Sequence, residues 1–281
     1  MNIMRYTDAH AFCDRVLPFL LQREAENNLM IGIILRLAER TARWGDEPPV
    51  LCAVEENGAV IAAVTQTPPF NVIITHMDAA AVTAVARQFA AEEYAFPGVL
   101  GPSAVVEGFT RAWSAITGLR AERERGMGVY QLDQVNPPPA PSGCCSVATE
   151  DDADLLLRWH REFHEEIGLP GHDVEHTVRS IIAERRYLLW RDPEPVSVAA
   201  VCGPTPHGIR TSGVFTPPSY RGRGYASANV AALSQQQLDA GRTFCYLFTN
   251  LENPISNSIY RKIGYRQVSE FTEYQFALMQ E

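Results

Sequence analysis

Apolar residues follow two different spacings along the chain, and each spacing predicts its own kind of element. Over residues 9–40 they recur at intervals of three and four, which predicts helix with breaks near Pro18 and at Asn27–Asn28. Two short apolar runs then flank a turn at Glu56–Asn57–Gly58. Asn-Gly between strand-like runs favours a β-hairpin. The first part of the chain is therefore predicted to pass from helices into paired strands.

The second part of the chain repeats this order. DDADLLLRWHREFHEEIG has helical spacing, and a further helix precedes YLLWRDPEPVSVAAVC, which again reads as strand, turn and strand. Ala62–Ala63–Val64 and Ala199–Ala200–Val201 occupy equivalent places in the two parts. The shared order of elements and this shared tripeptide predict an internal duplication.

A proline-rich stretch, NPPPAPSG at residues 136–143, lies between the two parts. Its prolines resist helix and sheet and favour an extended spacer. The chain of 281 residues is long enough for two domains of ordinary size. We therefore predict one domain over residues 1–135, a linker over 136–146 and a second domain over 147–281.

The two parts differ beyond their hairpins. In the second, a strand ending in GVFT leads to YRGRGYASANVAALS, which predicts a helix from about Ala226 to Ala240, and FCYLFTN (244–250) predicts a buried strand. The counterpart in the first part is taken to be PGVLGPSAVVEGFTRAW, where Pro102 stands in the turn and arginine-glycine repeats are missing. Only the second part is expected to hold a phosphate-binding loop.

Composition limits the kinds of partner. The formal net charge of −9 argues against a broad phosphate-seeking surface, so nucleic acid is not expected as a partner. The N-terminus lacks the pattern of a signal peptide, and no apolar stretch is long enough to span a bilayer. Six cysteines without zinc-like spacing indicate a reduced, cytoplasmic protein, with Cys144–Cys145 in the linker. His160 and His164 share a helix face, but no third ligand is evident and no metal is predicted.

The glycines of the loop can be compared with known phosphate-binding patterns. Gly222 and Gly224 precede a helix, as in a phosphate cradle. The Gly-Lys-Ser/Thr of a Walker A motif is missing, and the G-x-G-x-x-G dinucleotide fingerprint is incomplete. A third pattern, Arg/Gln-x-x-Gly-x-Gly/Ala, is satisfied by Arg221, Gly224 and Ala226.

This loop, the strand that follows it and the segment NPISNSIYRKIGY together resemble the acyl-CoA site of the GNAT superfamily of N-acyltransferases. The segment supplies Asn253, Tyr260, Gly264 and Tyr265 in the family's order, and the resemblance covers at least residues 147–281. The double arrangement is similar to tandem-GNAT proteins, in which one half typically retains acetyl-CoA binding. The resemblance implies two mixed α/β domains, the N-terminal one divergent, and an acetyl-CoA-dependent N-acetyltransferase, an acyltransferase of the EC 2.3.1 type.

The resemblance also implies roles for individual residues. Tyr260 would donate a proton to the leaving thiolate as the catalytic residue. The residues implied in binding the co-substrate acetyl-CoA are Val214, Phe215, Thr216, Arg221, Gly222, Arg223, Gly224, Tyr225, Ala226, Ser227 and Asn253. Structural roles stay open beside these: a tight turn for the two glycines, solvent exposure for Arg223, helix capping for Asn253 and packing for Tyr260. Ile255, Ile259 and Ile263 form one apolar stripe that is expected to face the sheet.

The sequence leaves the general base and the acceptor amine open. Candidates for the base are Glu162, His164, Glu165, Glu166 and Glu252. The acceptor is expected to be a small-molecule or peptide amine that attacks directly in a ternary complex, because no nucleophilic Cys or Ser motif is evident. No membrane or nucleic-acid partner is expected, and a homodimer stays open. A non-catalytic acyl-CoA-binding regulatory module and a purely structural protein are the alternatives.

Overall fold

A computed structural model describes residues 1–39, 47–168 and 173–277 of the protein. These residues form two compact units. Unit 1 contains Met1–Val129, Thr249–Glu252 and the chain from Gln267 onward, and unit 2 contains Tyr130–Phe248 and Asn253–Arg266. The sequence predicted two continuous domains, whereas residues 267–277 lie in unit 1.

The chain consists of two repeats with the same order of elements. The first repeat contains β1 (Asn2–Arg5), α1 (Ala9–Leu20), α2 (Asn28–Ala38), β2 (Val50–Glu56), β3 (Ala59–Gln66), β4 (Val72–Ile74), α3 (Ala79–Ala91), β5 (Gly98–Pro102), α4 (Ser103–Thr117) and β6 (Arg120–Leu132). The second repeat contains β7 (Cys144–Val147), α5 (Ala153–Ile167), α6 (Val174–Ala183), β8 (Tyr187–Arg191), β9 (Pro195–Cys202), β10 (Gly208–Phe215), α7 (Tyr225–Asp239), β11 (Phe244–Asn250), α8 (Pro254–Ile263) and β12 (Arg266–Ala277). The two Ala-Ala-Val tripeptides lie in β3 and β9, the third strand of each repeat, which agrees with the predicted duplication.

Each unit has a mixed sheet with one parallel strand pair. In unit 1 the strand order is β1-β2-β3-β4-β5-β12, and only β4 and β5 are parallel among the registered pairs. In unit 2 the order is β7-β8-β9-β10-β11, and β10 and β11 are parallel. The parallel pair matters for the site, because it is joined by a helical crossover whose N-terminus follows the first strand.

The last strand of the second repeat explains why the units are not simple halves. β12 pairs with β5 from Phe271↔Pro102 to Gln275↔Gly98, so it completes the sheet of unit 1. Tyr130 and the residues after it, at the end of β6, pack into the core of unit 2. Local patterns predict that a strand exists but not which sheet it joins, so this pairing was not predictable from the sequence.

Helices cover both faces of each sheet. In unit 1 one core contains Phe89, Phe109 and Trp113, and the core on the α1 and α2 side contains Phe12 and Ile31. In unit 2, α7 and α8 pack over a core with Val230, Leu233 and Tyr265. On the other face, α5 and α6 contribute Leu156, Trp159 and Val178 to a second core. This is the layered architecture expected of a mixed α/β protein.

Several predictions of local structure need correction. Helix α1 continues through Pro18 to Leu20, whereas a break was expected near Pro18. Cys144 and Cys145 lie in β7, where they pair with Arg191 and Trp190, so the linker ends earlier than predicted. The hairpin turn at Asn57–Gly58 is confirmed, with φ of 51° and 81°.

Candidate functional site

The parallel strands of unit 2 separate partway along their length. β10 and β11 pair at Gly208↔Phe244, Ile209↔Cys245 and Arg210↔Tyr246. β10 then continues to Phe215, and β11 continues within unit 2 to Phe248, without further pairs among the residues that the structure describes. The backbone groups along this part of β10 are therefore free to pair with an extended ligand, as in β-strand addition. We call this opening the cleft.

A bulge in β10 lies beside the cleft. The register with β9 shifts between Ser212 and Phe215, and Gly213 has φ of 57°. A β-bulge re-aims the backbone of its strand. Phe215 is buried and Val214 is partly buried, so both side chains pack in the cores of unit 2. Only the backbone groups of these two residues remain for the predicted binding of a ligand.

Ser197 on β9 anchors the end of β10, and it was not recognised from the sequence. Its hydroxyl is fully buried, donates to the Phe215 carbonyl at 3.3 Å and accepts from the Thr216 hydroxyl at 2.9 Å. The Thr216 carbonyl accepts from the Arg221 Nε at 2.8 Å. A lone serine within the apolar run PVSVAAVC was the available signal, because a buried hydroxyl requires a partner.

The loop between β10 and α7 presents free backbone amides. Gly222 and Gly224 have φ of 76° and 85°, and a Cβ on either would contact nothing within 4 Å. The first backbone hydrogen bond of α7 runs from the Ala228 amide to the Gly224 carbonyl at 3.0 Å. The amides of residues 222–227 have no backbone acceptor in the described part of the chain. Together with the positive end of the helix dipole, they form a site suited to a phosphate.

The two arginines of the loop point to protein partners. Arg221 contacts Glu166 at the end of α5 through Nη2 and Oε2 at 2.6 Å, and its guanidinium lies 5.9 Å from the ring centroid of Phe215. Arg223 donates to the Ser219 carbonyl at 3.2 Å and is exposed. The contacts of both side chains are with other groups of the protein, and none holds a guanidinium next to the free amides. Glu166, a candidate base, is thus engaged with the loop.

The sequence resemblance implies acetyl-CoA as the ligand of this loop, and for that ligand we expect Glu166→Gln to strengthen binding. The ion pair is exposed, so its loss costs little stability, but it competes with a phosphate for Arg221. The dissociation constant should fall by about two- to fivefold. Calorimetric titration checks this, with the exposed neighbour Glu165→Gln as a control that should leave the constant unchanged. Weaker binding by Glu166→Gln would instead mean that Glu166 holds Arg221 in its binding position.

The start of α7 divides its residues between core and site. Tyr225 is buried, and its hydroxyl donates to Asp192 Oδ2 at 2.5 Å, so its side chain is structural and only its amide belongs with the loop. Ala226 and Ser227 are partly exposed, and Ser227 lies in the first turn. The sequence predicted all three as cofactor-binding residues; the structure brings their amides together but directs the Tyr225 ring elsewhere.

Asn253 caps α8. Its Oδ1 accepts a hydrogen bond from the Ser256 amide at 3.0 Å. Pro254 follows it at the first helical position. The structure thus gives Asn253 the capping role that the sequence left open, and its side chain is exposed. The apolar stripe of α8 is only partly as predicted, because Ile263 is buried whereas Ile255 is 72% exposed. The first turn of α8 extends beyond the core.

Tyr260 lies on α8 with a hydroxyl that is not used in the fold. Its ring packs edge-on against Tyr265 at 5.8 Å, and no hydrogen bond of its hydroxyl is formed within the described residues. The hydroxyl of Tyr265, in contrast, bonds to Thr211 at 3.0 Å and to Ser234 at 2.9 Å. Burial raises the pKa of Tyr260 to about 12. Tyr260 therefore stays protonated at neutral pH and has a proton to donate.

The described residues of unit 1 contain no equivalent of this loop. The predicted counterpart at residues 97–113 was wrong, because β5 and α4 correspond in order to β11 and α8. The true counterpart joins β4 to α3, and there Asp78 caps the helix, accepting from the Ala81 amide at 2.8 Å. A carboxylate already occupies the helix end that a phosphate would need. Strands β4 and β5 also stay close together at this end, since a Cβ on Gly101 would be 2.5 Å from the Ile74 carbonyl oxygen.

Aromatic rings and two histidines line the α5 face near the end of β10. Phe163 and Trp159 on α5 contact the Phe215 ring at centroid distances of 6.4 Å and 6.1 Å. His160 and His164 are stacked with ring centroids 4.3 Å apart. Burial, and then the charge of His164, lower the pKa of His160 to about 4. The stacked imidazoles lie next to an aromatic cluster, and His164 remains a candidate on the acceptor side.

We expect His160 to make the protein less stable as the pH falls from about 6.5 to about 4. Its folded pKa is about 4 and its ordinary value 6.5, so the unfolded chain binds the proton more readily in this window. The loss should be roughly 1 to 2 kcal/mol after discounting for partial exposure. Urea unfolding of the wild type and His160→Gln at pH 6.5 and 4.5 tests this. Equal losses in both proteins would refute the assignment.

Other kinds of site receive no support from the part of the chain that the structure describes. Over residues 1–39, 47–168 and 173–277, no three His, Cys, Asp or Glu side chains are grouped so that they could hold a metal ion. Within the same ranges, no helix combines the length and apolar content needed to cross a membrane.

Comparison with known proteins agrees with this geometry. Residues 190–275 match the family model described as FR47-like protein. No curated protein matches the sequence. Among solved structures, a GNAT-family acetyltransferase from Colwellia psychrerythraea is 10% identical, with 99% of this chain and 100% of that chain covered and a TM-score of 0.58. A GCN5-related N-acetyltransferase from Sphaerobacter thermophilus is 15% identical, with coverage of 97% and 94% and a TM-score of 0.61.

The two-repeat arrangement also has a structural relative. A tandem GNAT protein from the clavulanic acid biosynthesis pathway is 10% identical, with coverage of 100% and 99% and a TM-score of 0.55. At such low identities these likenesses concern the fold. The match to FR47-like proteins falls on the repeat that carries the cleft, the loop and Tyr260. The protein therefore has the tandem GNAT acetyltransferase fold, as the sequence motifs predicted.

Proposed function

We propose that the protein is an acetyl-CoA-dependent N-acetyltransferase whose single acetyl-CoA site lies in unit 2. The observation that carries the proposal is the cleft between β10 and β11, which opens toward a loop of free amides at the start of α7. An extended arm can pair with the free edge of β10 while its diphosphate contacts the amides of residues 222–227. Acetyl-CoA has both parts.

The residues of the chain fit this ligand in distinct ways. Backbone groups of Val214, Phe215 and Thr216 would hold the pantetheine arm, and the positive φ of Gly222 and Gly224 would keep the loop amides turned toward the phosphates. Arg221 would add charge once it leaves Glu166. Because Asp78 fills the equivalent helix end in unit 1, the stoichiometry should be one acetyl-CoA per chain.

The reaction needs few groups from the protein. Acetyl-CoA supplies a thioester, and the acceptor amine forms a C–N bond to its carbonyl carbon as the C–S bond breaks. Tyr260 would donate its hydroxyl hydrogen to the departing sulfur. With a pKa of about 12, above the roughly 8.5 of a thiol, it acts mainly as a hydrogen-bond donor. The proton that finally stays on the sulfur balances the one that the acceptor nitrogen loses.

The acceptor is proposed to be a small-molecule or peptide amine that attacks directly in a ternary complex. The α5 face with Phe163 and His164 supports an acceptor site on that side, where an imidazole can accept the nitrogen's proton. Glu166 is less suited as the base, because it is paired with Arg221. A reduced, cytoplasmic setting remains a prediction from the sequence.

Release of free CoA in the presence of an amine panel tests the proposal. The wild-type protein should release CoA with at least one amine, and mass spectrometry should find that amine acetylated. Binding of acetyl-CoA without release by any amine would favour the regulatory alternative. Failure to bind acetyl-CoA at all would refute both.

A further inference from the structure

Arg210 occupies the point where the two strands of the cleft part. Arg210↔Tyr246 is the last pair before the β10–β11 ladder stops. Because side chains alternate along a strand, Arg210 lies on the sheet face opposite to Thr211. Thr211 contacts Tyr265, the neighbour of Tyr260, on the α7 and α8 side. Arg210 therefore belongs to the α5 and α6 face, at the inner end of the cleft.

The partners of Arg210 leave most of its donors unused. Its Nε donates to Cys202 Sγ at 3.3 Å. The guanidinium lies against Gly203, where a Cβ would be 3.4 Å from Nη2. Tyr246, on the neighbouring strand, donates its own hydroxyl to the Gly203 carbonyl. Within the part of the chain that the structure describes, no carboxylate and no other acceptor contacts the two Nη groups.

The guanidinium of Arg210 carries a permanent charge and five donors. Arg210 is partly exposed, so its Nη groups can meet an anion from outside the chain. The chain has 33 Asp and Glu residues against 24 Lys and Arg, yet none of the described carboxylates pairs with Arg210. Arg191 of the same unit pairs with Asp152 at 2.7 Å, and Arg242 is bonded to the Thr205 carbonyl at 3.3 Å, so each of these has an oxygen acceptor that Arg210 lacks. The planar fork of Arg210 is therefore available for a ligand anion.

We propose that Arg210 binds a carboxylate carried by the acceptor amine, so that the acceptor is an amine of the amino-acid type. This inference rests on the proposed acetyl transfer. The arm of acetyl-CoA would enter the cleft from the loop, with its acetyl group directed toward the inner end. An acceptor held by its carboxylate at Arg210 would present its amine there, on the face away from Tyr260. Arg210 is thus a specificity-determining residue.

Matched acceptors test this in the wild-type protein. CoA release is measured for several amino acids and for the corresponding amino-acid amides, which keep the amine and side chain but lack the carboxylate. The carboxylate member of each productive pair should have a kcat/KM higher by roughly 10- to 100-fold, the range of a charge-assisted hydrogen bond. Arg210→Gln should remove this preference by raising KM for the carboxylate acceptor. Arg210→Lys should retain part of it, and acetyl-CoA affinity should not change.

Arg242→Gln is the matched control. Arg242 is another partly buried arginine of unit 2, bonded to the Thr205 carbonyl at 3.3 Å, and its loss should leave the preference intact. Equal kcat/KM for acids and amides in the wild type would overturn the inference while the acetyltransferase proposal stands. That comparison decides the question even if Arg210→Gln does not fold. Absence of CoA release with every amine would overturn the proposed function, and the inference with it.

Discussion

Replacing Tyr260 by Phe should lower kcat by between about 100-fold and 1,000-fold, the range for the loss of one hydrogen-bond donor to charge that develops in the transition state. The change removes a hydroxyl that makes no hydrogen bond within the described chain, on a ring that packs against Tyr265. Affinity for acetyl-CoA should stay the same, because the ring still packs against Tyr265. Steady-state kinetics combined with calorimetric titration separate the two effects.

Tyr265→Phe is the control for this variant. The Tyr265 hydroxyl bonds to Thr211 and Ser234 in the core, so its removal should cost about 1 to 3 kcal/mol of unfolding free energy. Tyr260→Phe should cost almost none, since its hydroxyl makes no such bonds. A Tyr260→Phe protein with unchanged kcat would rule out Tyr260 as the hydrogen-bond donor to the leaving sulfur.

Gly224→Ala should raise the dissociation constant of acetyl-CoA by about 5- to 30-fold, because a left-handed backbone costs an L-residue roughly 1 to 2 kcal/mol and the loop relaxes away from it. Gly224 has φ of 85° at the start of α7, beside the free amides. Relaxation would turn those amides away from a phosphate. Titration calorimetry measures the loss of affinity.

Gly241→Ala provides a control at the other end of the same helix. Gly241 has φ of 94°, and a Cβ there would likewise contact nothing within 4 Å. Its replacement should therefore cost a similar free energy of unfolding without affecting acetyl-CoA binding. If both variants lost affinity equally, strain in α7, and not the amides of the loop, would explain the effect.

Much of this site could be predicted from the sequence, because its signals are local. The glycines before α7, the Asn-Pro start of α8 and the apolar run of β11 fix their own elements. The β11 boundaries, Phe244 and Asn250, agree with the predicted strand. The repeat was also visible, since element order depends on periodicity alone.

Features that depend on distant contacts were not predictable. The placement of β12 beside β5 follows from sheet pairing, which the period of a strand does not specify. The counterpart of the loop in unit 1 was misplaced, because no glycine marks it and Asp78 caps the helix instead. No sequence pattern marked Ser197 or Arg210 as a site residue. Their roles follow from contacts in the fold, of Ser197 with Phe215 and of Arg210 with Cys202.

The stoichiometry of acetyl-CoA binding tests the central claim most directly. Isothermal titration calorimetry of the wild-type chain should give one site per chain, and Gly224→Ala should weaken that site. One site is expected because, over the residues that the structure describes, unit 2 alone combines the open cleft with an uncapped, glycine-started helix, whereas Asp78 caps the equivalent helix of unit 1. Two equivalent sites, or no binding, would contradict the account.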